Sequence, residues 1–209
     1  MRVSRGALTA AALGALLGTA GCFSRVKTSS QADVAGAALD RRELAEATVS
    51  HWSTPSRLAA RRLIEEYGVP DEVHADHLLW VNNSPWRRTV VSNVRPMLET
   101  DTAGLDVVEQ TVKYPLTREQ AFAVATFDDR AAFDPKTGEL SSRADREEHN
   151  YLRLNLADDV AQGRLRPEQA RDSYASIVSF EQSGKTSPYL LGLRFAVGTQ
   201  PVLPPEPVP

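Results

Sequence analysis

The chain has 209 residues, with 24 Lys and Arg against 27 Asp and Glu, a formal net charge of −3, 1 Cys and 4 His. That length holds one full core or two small ones, and the charge balance offers no basic field to attract a nucleic acid. A single cysteine excludes an intrachain disulfide and a thiolate metal cluster, so packing alone must stabilise the fold.

Arg2 and Arg5 precede an apolar stretch, residues 6–19, built only of Ala, Leu, Gly and Thr, and Ala20-Gly21-Cys22 follows. A positive start, a short apolar run and small residues form a secretory leader. The run falls short of the ~20 residues that span a bilayer. Ala20-Gly21-Cys22 resembles the lipobox of bacterial lipoproteins, with Thr19 where that motif carries an aliphatic residue. The resemblance implies that residues 1–21 are removed, that the Cys22 thiol carries diacylglycerol, and that the protein is held in the cell envelope. Acyl chains contribute about 0.8 kcal/mol per buried CH₂, so two or three make more than a marginal anchor. Phe23 rather than Asp follows the cysteine, which by the same resemblance implies the outer membrane where the organism has one. An ordinary secretory leader with an unrelated cysteine is the alternative. The mature chain of 188 residues keeps 22 Lys and Arg against 27 Asp and Glu.

Residues 22–30 read as a lipidated tether, of which residues 23–30 span at most about 27 Å. A single domain over 31–197 is expected to follow. An Ala-rich helix is predicted over 31–50, with Val34, Leu39 and Leu44 on a loose apolar stripe. A better-specified helix begins at Thr54-Pro55, repeats Ala60, Leu63, Ile64 and Tyr67, and stops at Gly68 before Pro70. His77–Val81 and Trp86–Ser92 flank Asn82-Asn83-Ser84-Pro85 as a hairpin, and 106–114 reads as a further strand. Thr117 with Gln120 has the capping-box spacing ahead of a short helix carrying Phe122 and Ala125. Asp134-Pro135-Lys136-Thr137-Gly138 is a turn between short strands. Asp145 with Glu148 opens a helix bearing Leu152, Leu156 and Val160. Pro167 opens another with Ala170, Tyr174, Ile177 and Val178 inward, and Tyr189–Val197 alternates like a final strand. Residues 198–209 carry Pro201, Pro204, Pro205, Pro207 and Pro209 and read as an extended tail. The fold class is α+β, with about five helices on one face of a small, mostly antiparallel sheet.

The order helix, helix, hairpin, strand over 31–114, with Tyr67-Gly68-Val69-Pro70-Asp71-Glu72-Val73 leading into a strand that contains Trp80, resembles the SmpA/OmlA (BamE-like) lipoproteins of the outer-membrane β-barrel assembly machinery. That resemblance implies two packed helices, a three-stranded sheet and a role as an accessory subunit. It covers at most 84 residues and leaves 115–197 without a counterpart.

Chemistry-bearing groups are sparse. Ser183-Gly184-Lys185-Thr186 lacks the first glycine of a phosphate-binding loop and follows a helix instead of preceding one. His74, Asp76 and His77 are potential zinc ligands in a loop, though no local geometry unites them. His51 and His149 could join only through tertiary proximity. The pairs Asp128-Asp129, Glu147-Glu148 and Asp158-Asp159 read as solvated faces and caps, because adjacent helical residues point some 100° apart. No nucleophile elbow or triad spacing exists. Trp80, Trp86, Arg87 and Arg88 are the densest group suited to contact with a partner or a lipid headgroup, with Trp86 expected outside and Trp80 in the core. A cross-strand aromatic pair is the plainer reading. The leading expectation is a non-catalytic envelope scaffold or accessory subunit that needs no cofactor. A cell-wall hydrolase using carboxylates or a His-bound metal, or a carrier of a small ligand, are alternatives. A pocket uniting acidic or histidine groups would favour the hydrolase, an apolar cavity the carrier, and a closed core with an exposed aromatic patch the scaffold.

Overall fold

The computed structural model describes residues 31–95 and 105–198, so Cys22, the tether and nearly all of the Pro-rich tail lie outside the described residues. In chain order the elements are α1 (Gln31–Ser50), α2 (Thr54–Tyr67), β1 (Glu72–Val73), β2 (His77–Val81), β3 (Arg88–Ser92) and β4 (Val108–Lys113). There follow α3 (Arg118–Phe127), β5 (Ala131–Asp134), β6 (Glu139–Ala144), α4 (Glu147–Ala161) and α5 (Pro167–Gln182). The six strands form one antiparallel sheet in the order β1-β2-β3-β4-β6-β5, and the fold is α+β.

Side chains alternate across a strand, so the register assigns each residue to a face. Leu78, Trp80, Thr89, Val91, Val108, Gln110, Val112, Leu140, Ser142 and Ala144 share the buried face. Two cores lie side by side on it. Ala45 and Val49 of α1 and Ala60, Leu63 and Ile64 of α2 pack with Leu78, Trp80, Val91 and Val108. Val124 and Phe127 of α3, Leu152, Leu154, Leu156 and Val160 of α4, and Ala170 of α5 pack with Val112, Leu140, Trp86 and Tyr114. Tyr67 at the end of α2 touches both.

Local signals behave as their chemistry requires. Gly68 adopts φ +79° after α2 and returns its N–H to Ile64, and Thr117 and Gln120 form a complete capping box on α3. Ser183-Gly184 ends α5, with Gly184 at φ +80°, as a helix stop does.

Five expectations are corrected. The stripe on α1 is rotated: Leu39 and Leu44 are exposed, and the small residues Ala45 and Val49 face the core. On α3, Phe122 is 75% exposed, and Val124 and Phe127 point inward. Asp145 does not cap α4, because its carboxylate is taken by His149. Residues 189–197 form no strand. They start with a single 3-10 turn at Pro188–Leu190 and run across α4, where Asn155 Nδ2 donates to the carbonyls of Tyr189 and Gly192 and Asn155 Oδ1 accepts from the Arg194 N–H. Finally, Trp86 is buried, at 2% exposure. Val81 pairs with Arg88, so six residues form the hairpin loop, and Trp86 turns inward from it instead of following strand alternation.

Among the described residues no helix is long and apolar enough to cross a membrane.

Candidate functional site

Helix α4 is the centre of the larger core, enclosed by the sheet, α3, α5 and the 188–198 segment. A helix buried on all sides is ordinarily apolar throughout. This one carries Glu147, His149, Asn150, Arg153, Asn155, Asp158 and Asp159, all buried. A buried charge is tolerated only when paired and hydrogen-bonded, and partners are supplied at each.

At the first turn, Glu147 Oε1 accepts from the Tyr67 hydroxyl (2.6 Å), the Trp86 indole N–H (3.0 Å) and the Tyr151 hydroxyl (2.5 Å). Trp86 stacks on Tyr151 at 5.0 Å and Arg62 of α2 pairs with Glu148. The junction therefore ties α2 to α4. Burial, then the bond to Glu147, pushes the Tyr67 and Tyr151 hydroxyls well above the usual phenol range, so both stay donors. Burial followed by the charge of Glu147 raises Glu66. Glu147 Oε2 and Glu148 Oε2 are buried with no partner among the described residues.

On the opposite side of the same helix, about 200° around its axis, lies an open cleft of about 440 Å³, lined by Asp106, Arg130, Asp145, Arg146, His149, Arg153 and Tyr174 among others. His149, 8% exposed, has Nδ1 at 2.5 Å from Asp145 Oδ1 and Nε2 at 3.0 Å from Glu181 Oε2. The Arg146 Nη2 donates to the same Glu181 oxygen (2.5 Å) and lies 2.9 Å from the imidazole. Burial draws the His149 pKa down, but the bond and charge of Asp145 and the bond to Glu181 outweigh it and the net shift is upward. Burial likewise opposes the Asp145 charge, yet His149 holds its carboxyl below the usual range. Arg153 reaches the back wall, donating to Asp128 (2.8 Å) and the Arg143 carbonyl (2.5 Å) and lying over the Tyr174 ring.

At the other end of α4, Asp158 and Asp159 share Arg164. Asp158 also accepts from Tyr114, and Asp159 from Tyr189 (2.6 Å). A polar cleft of about 570 Å³ lies there, between α4 and the 188–198 segment.

The reading of the acidic pairs as solvated faces is thus corrected for Glu147, Asp158 and Asp159, which are buried acceptors. The contact constellation divides: Trp80 (N–H to the Gly68 carbonyl, 3.1 Å) and Trp86 are inside, in different cores, and Arg87 and Arg88 are outside within 4.0 and 3.9 Å of Glu139. His74 and His77 stack on each other at 4.3 Å and pair separately with Glu72 and Asp76. Among the described residues no three His, Cys, Asp or Glu side chains are grouped to hold a metal ion. The His149 and Glu147 sites are only partly legible in the sequence: Asp145, Arg146 and Tyr151 lie within four residues, but Glu181, Trp86 and Tyr67 are 32 to 80 residues away. The available signal was a helix bracketed by other helices with polar residues on every face. No protein-family model, curated protein or solved structure matches this chain.

Proposed function

We propose that this chain is a lipid-anchored protein of the bacterial envelope that acts by binding, as a scaffold or accessory subunit of an envelope assembly. The anchor half of the reading rests on Ala20-Gly21-Cys22 after the apolar leader and on the resemblance of residues 31–114 to the assembly lipoproteins. The observation that carries the binding half is the engagement of α4's ionisable groups by other protein groups. At His149 both ring nitrogens are taken, by Asp145 on one side and by Glu181 and Arg146 on the other. A general base needs a nitrogen within reach of the proton it removes.

The cleft does unite Asp106, Asp145 and His149, and this favours hydrolysis as the second reading. Asp145 orienting His149 is half of a base-and-orienter arrangement. In that reading Glu181 must leave Nε2 before water is activated.

Fractionation of native membranes with mass analysis of the mature N-terminus, followed by affinity purification, tests the leading reading. An acylated Cys22 and a reproducible co-purifying envelope protein are expected. An unmodified Cys22 in a soluble fraction contradicts the anchor, and turnover of wall material that is lost on His149→Gln contradicts the binding role.

A further inference from the structure

We propose that the cleft at the head of α4 is a carboxylate-binding site in which Arg146 and His149 grip the incoming group, and that Glu181 is an internal competitor for the same seat. The proposal rests on the binding role above and names the chemistry it serves. An arginine presents Nε–H and Nη2–H along one edge, and that edge fits both oxygens of a carboxylate. Here only half of the edge is used. Nη2 donates to Glu181 Oε2, which is also the oxygen within 3.0 Å of His149, while Arg146 Nε is buried with no acceptor among the described residues. Glu181 is the penultimate residue of α5, so its reach is fixed by the helix. A carboxylate free of that tether can set one oxygen on Nη2 and the imidazole and the other on Nε. It gains a charge-assisted bond that Glu181 does not make, and leaving a buried donor unsatisfied is costly.

The remaining walls describe the rest of the ligand. Ala144 and Val178 are apolar, the Asp106–Arg130 pair (2.7 Å) and Gln182 are polar, and a volume of about 440 Å³ exceeds what one carboxylate fills. Asp106 and Asp145 on the same walls repel a multiply charged anion. The chemistry fits a singly charged acid with a short, partly apolar body, whether a small acid or the C-terminus of a short peptide. The groups facing His149 are Asp145 and Arg146 from the turn before α4 and Glu181 and Tyr174 from α5. Arg153 of its own helix, and Asp106 and Arg130 from the sheet side, complete the cleft. The bond and charge of Asp145 raise the imidazole pKa and so favour the protonated form that a carboxylate needs, and binding should weaken as alkaline pH removes that proton.

The test is a titration of the detergent-solubilised mature protein at constant ionic strength, read from the His149 ring resonances. The probes are N-acetylglycine, N-acetyl-trialanine, their C-terminal amides and inorganic phosphate. Both acids should saturate the site while the amides do not, and the tighter acid separates a small-acid site from a peptide-end site. Glu181→Ala should tighten the acids roughly tenfold by removing the competitor, with Glu181→Gln in the same direction. Arg146→Lys, which keeps the charge and loses the edge, should weaken them roughly tenfold. Acids and amides binding alike, phosphate outcompeting the acids, or Glu181→Ala binding no more tightly than the parent would each overturn the proposal. Failed titration with a partner still co-purifying removes the cleft alone. Saturable acid binding by a protein without acylated Cys22 removes the anchor alone.

Discussion

Glu147 and His149 stand two residues apart on α4 and face opposite situations. Glu147 looks toward α2 and is enclosed by Tyr67, Trp86 and Tyr151, three neutral donors on rigid aromatic frames. His149 looks toward α5 and a cleft, and its neighbours are charged and mounted on a loop and a helix end. The first arrangement loses stability heavily when its shared acceptor is removed, because buried hydroxyls are then left unpaired. The second can exchange one carboxylate for another at little cost. Opposite faces of one helix therefore carry a structural lock and a site built to be occupied.

The largest effect should come from breaking the lock. Trp86→Ala removes core volume and one donor to Glu147, and unfolding in urea should show a loss of about 3–5 kcal/mol. Leu156→Ala, which opens a cavity in the same core without touching the polar groups, should cost about 2–5 kcal/mol. The gap between the two sharpens how much the lock adds to plain packing.

His149 should reveal itself through pH. Its folded pKa is raised, so its contribution is fully present below its ordinary value of about 6.5 and is lost as pH rises through the folded value. Asp145 is shifted down, so its share is present above about pH 3.9 and is lost as pH falls through the lowered value. Thermal melts from acid to alkaline pH should show a decline on the alkaline side that His149→Gln abolishes. The smallest effect belongs to the surface: Phe122→Ser on α3 should change stability by less than about 0.5 kcal/mol, as judged by the urea midpoint.

What the sequence made legible follows from range. Gly68, Thr117 with Gln120, Pro167 and the Asp134–Gly138 turn act within a few residues, and each ends or starts an element where its local chemistry requires. The α+β class follows from the same punctuation. The hairpin is legible but its register is not, since Trp86 turns inward from a six-residue loop to acceptors on Tyr67 and Glu147, 19 and 61 positions away. The alternation of Tyr189, Leu191, Leu193 and Phe195 reads as a strand, but the backbone of this segment bonds to the Asn155 side chain through three hydrogen bonds instead of to a neighbouring strand. The burial of the acidic pairs is hidden in part for the same reason. Tyr151 and Arg164 lie four to six residues from the carboxylates they serve, but the Tyr67, Tyr114 and Tyr189 hydroxyls that also reach them are 30 to 80 positions away.

Equilibrium urea unfolding of Glu147→Ala beside Glu181→Ala tests the division most directly. Glu147→Ala takes the acceptor from two tyrosine hydroxyls, leaves the Trp86 indole N–H with only the Tyr67 oxygen, and should lose about 3–5 kcal/mol. Glu181→Ala removes a partly exposed ion pair at a helix end and should lose less than about 1 kcal/mol. Equal losses, or a larger loss at Glu181, would make the cleft part of the framework and contradict the account.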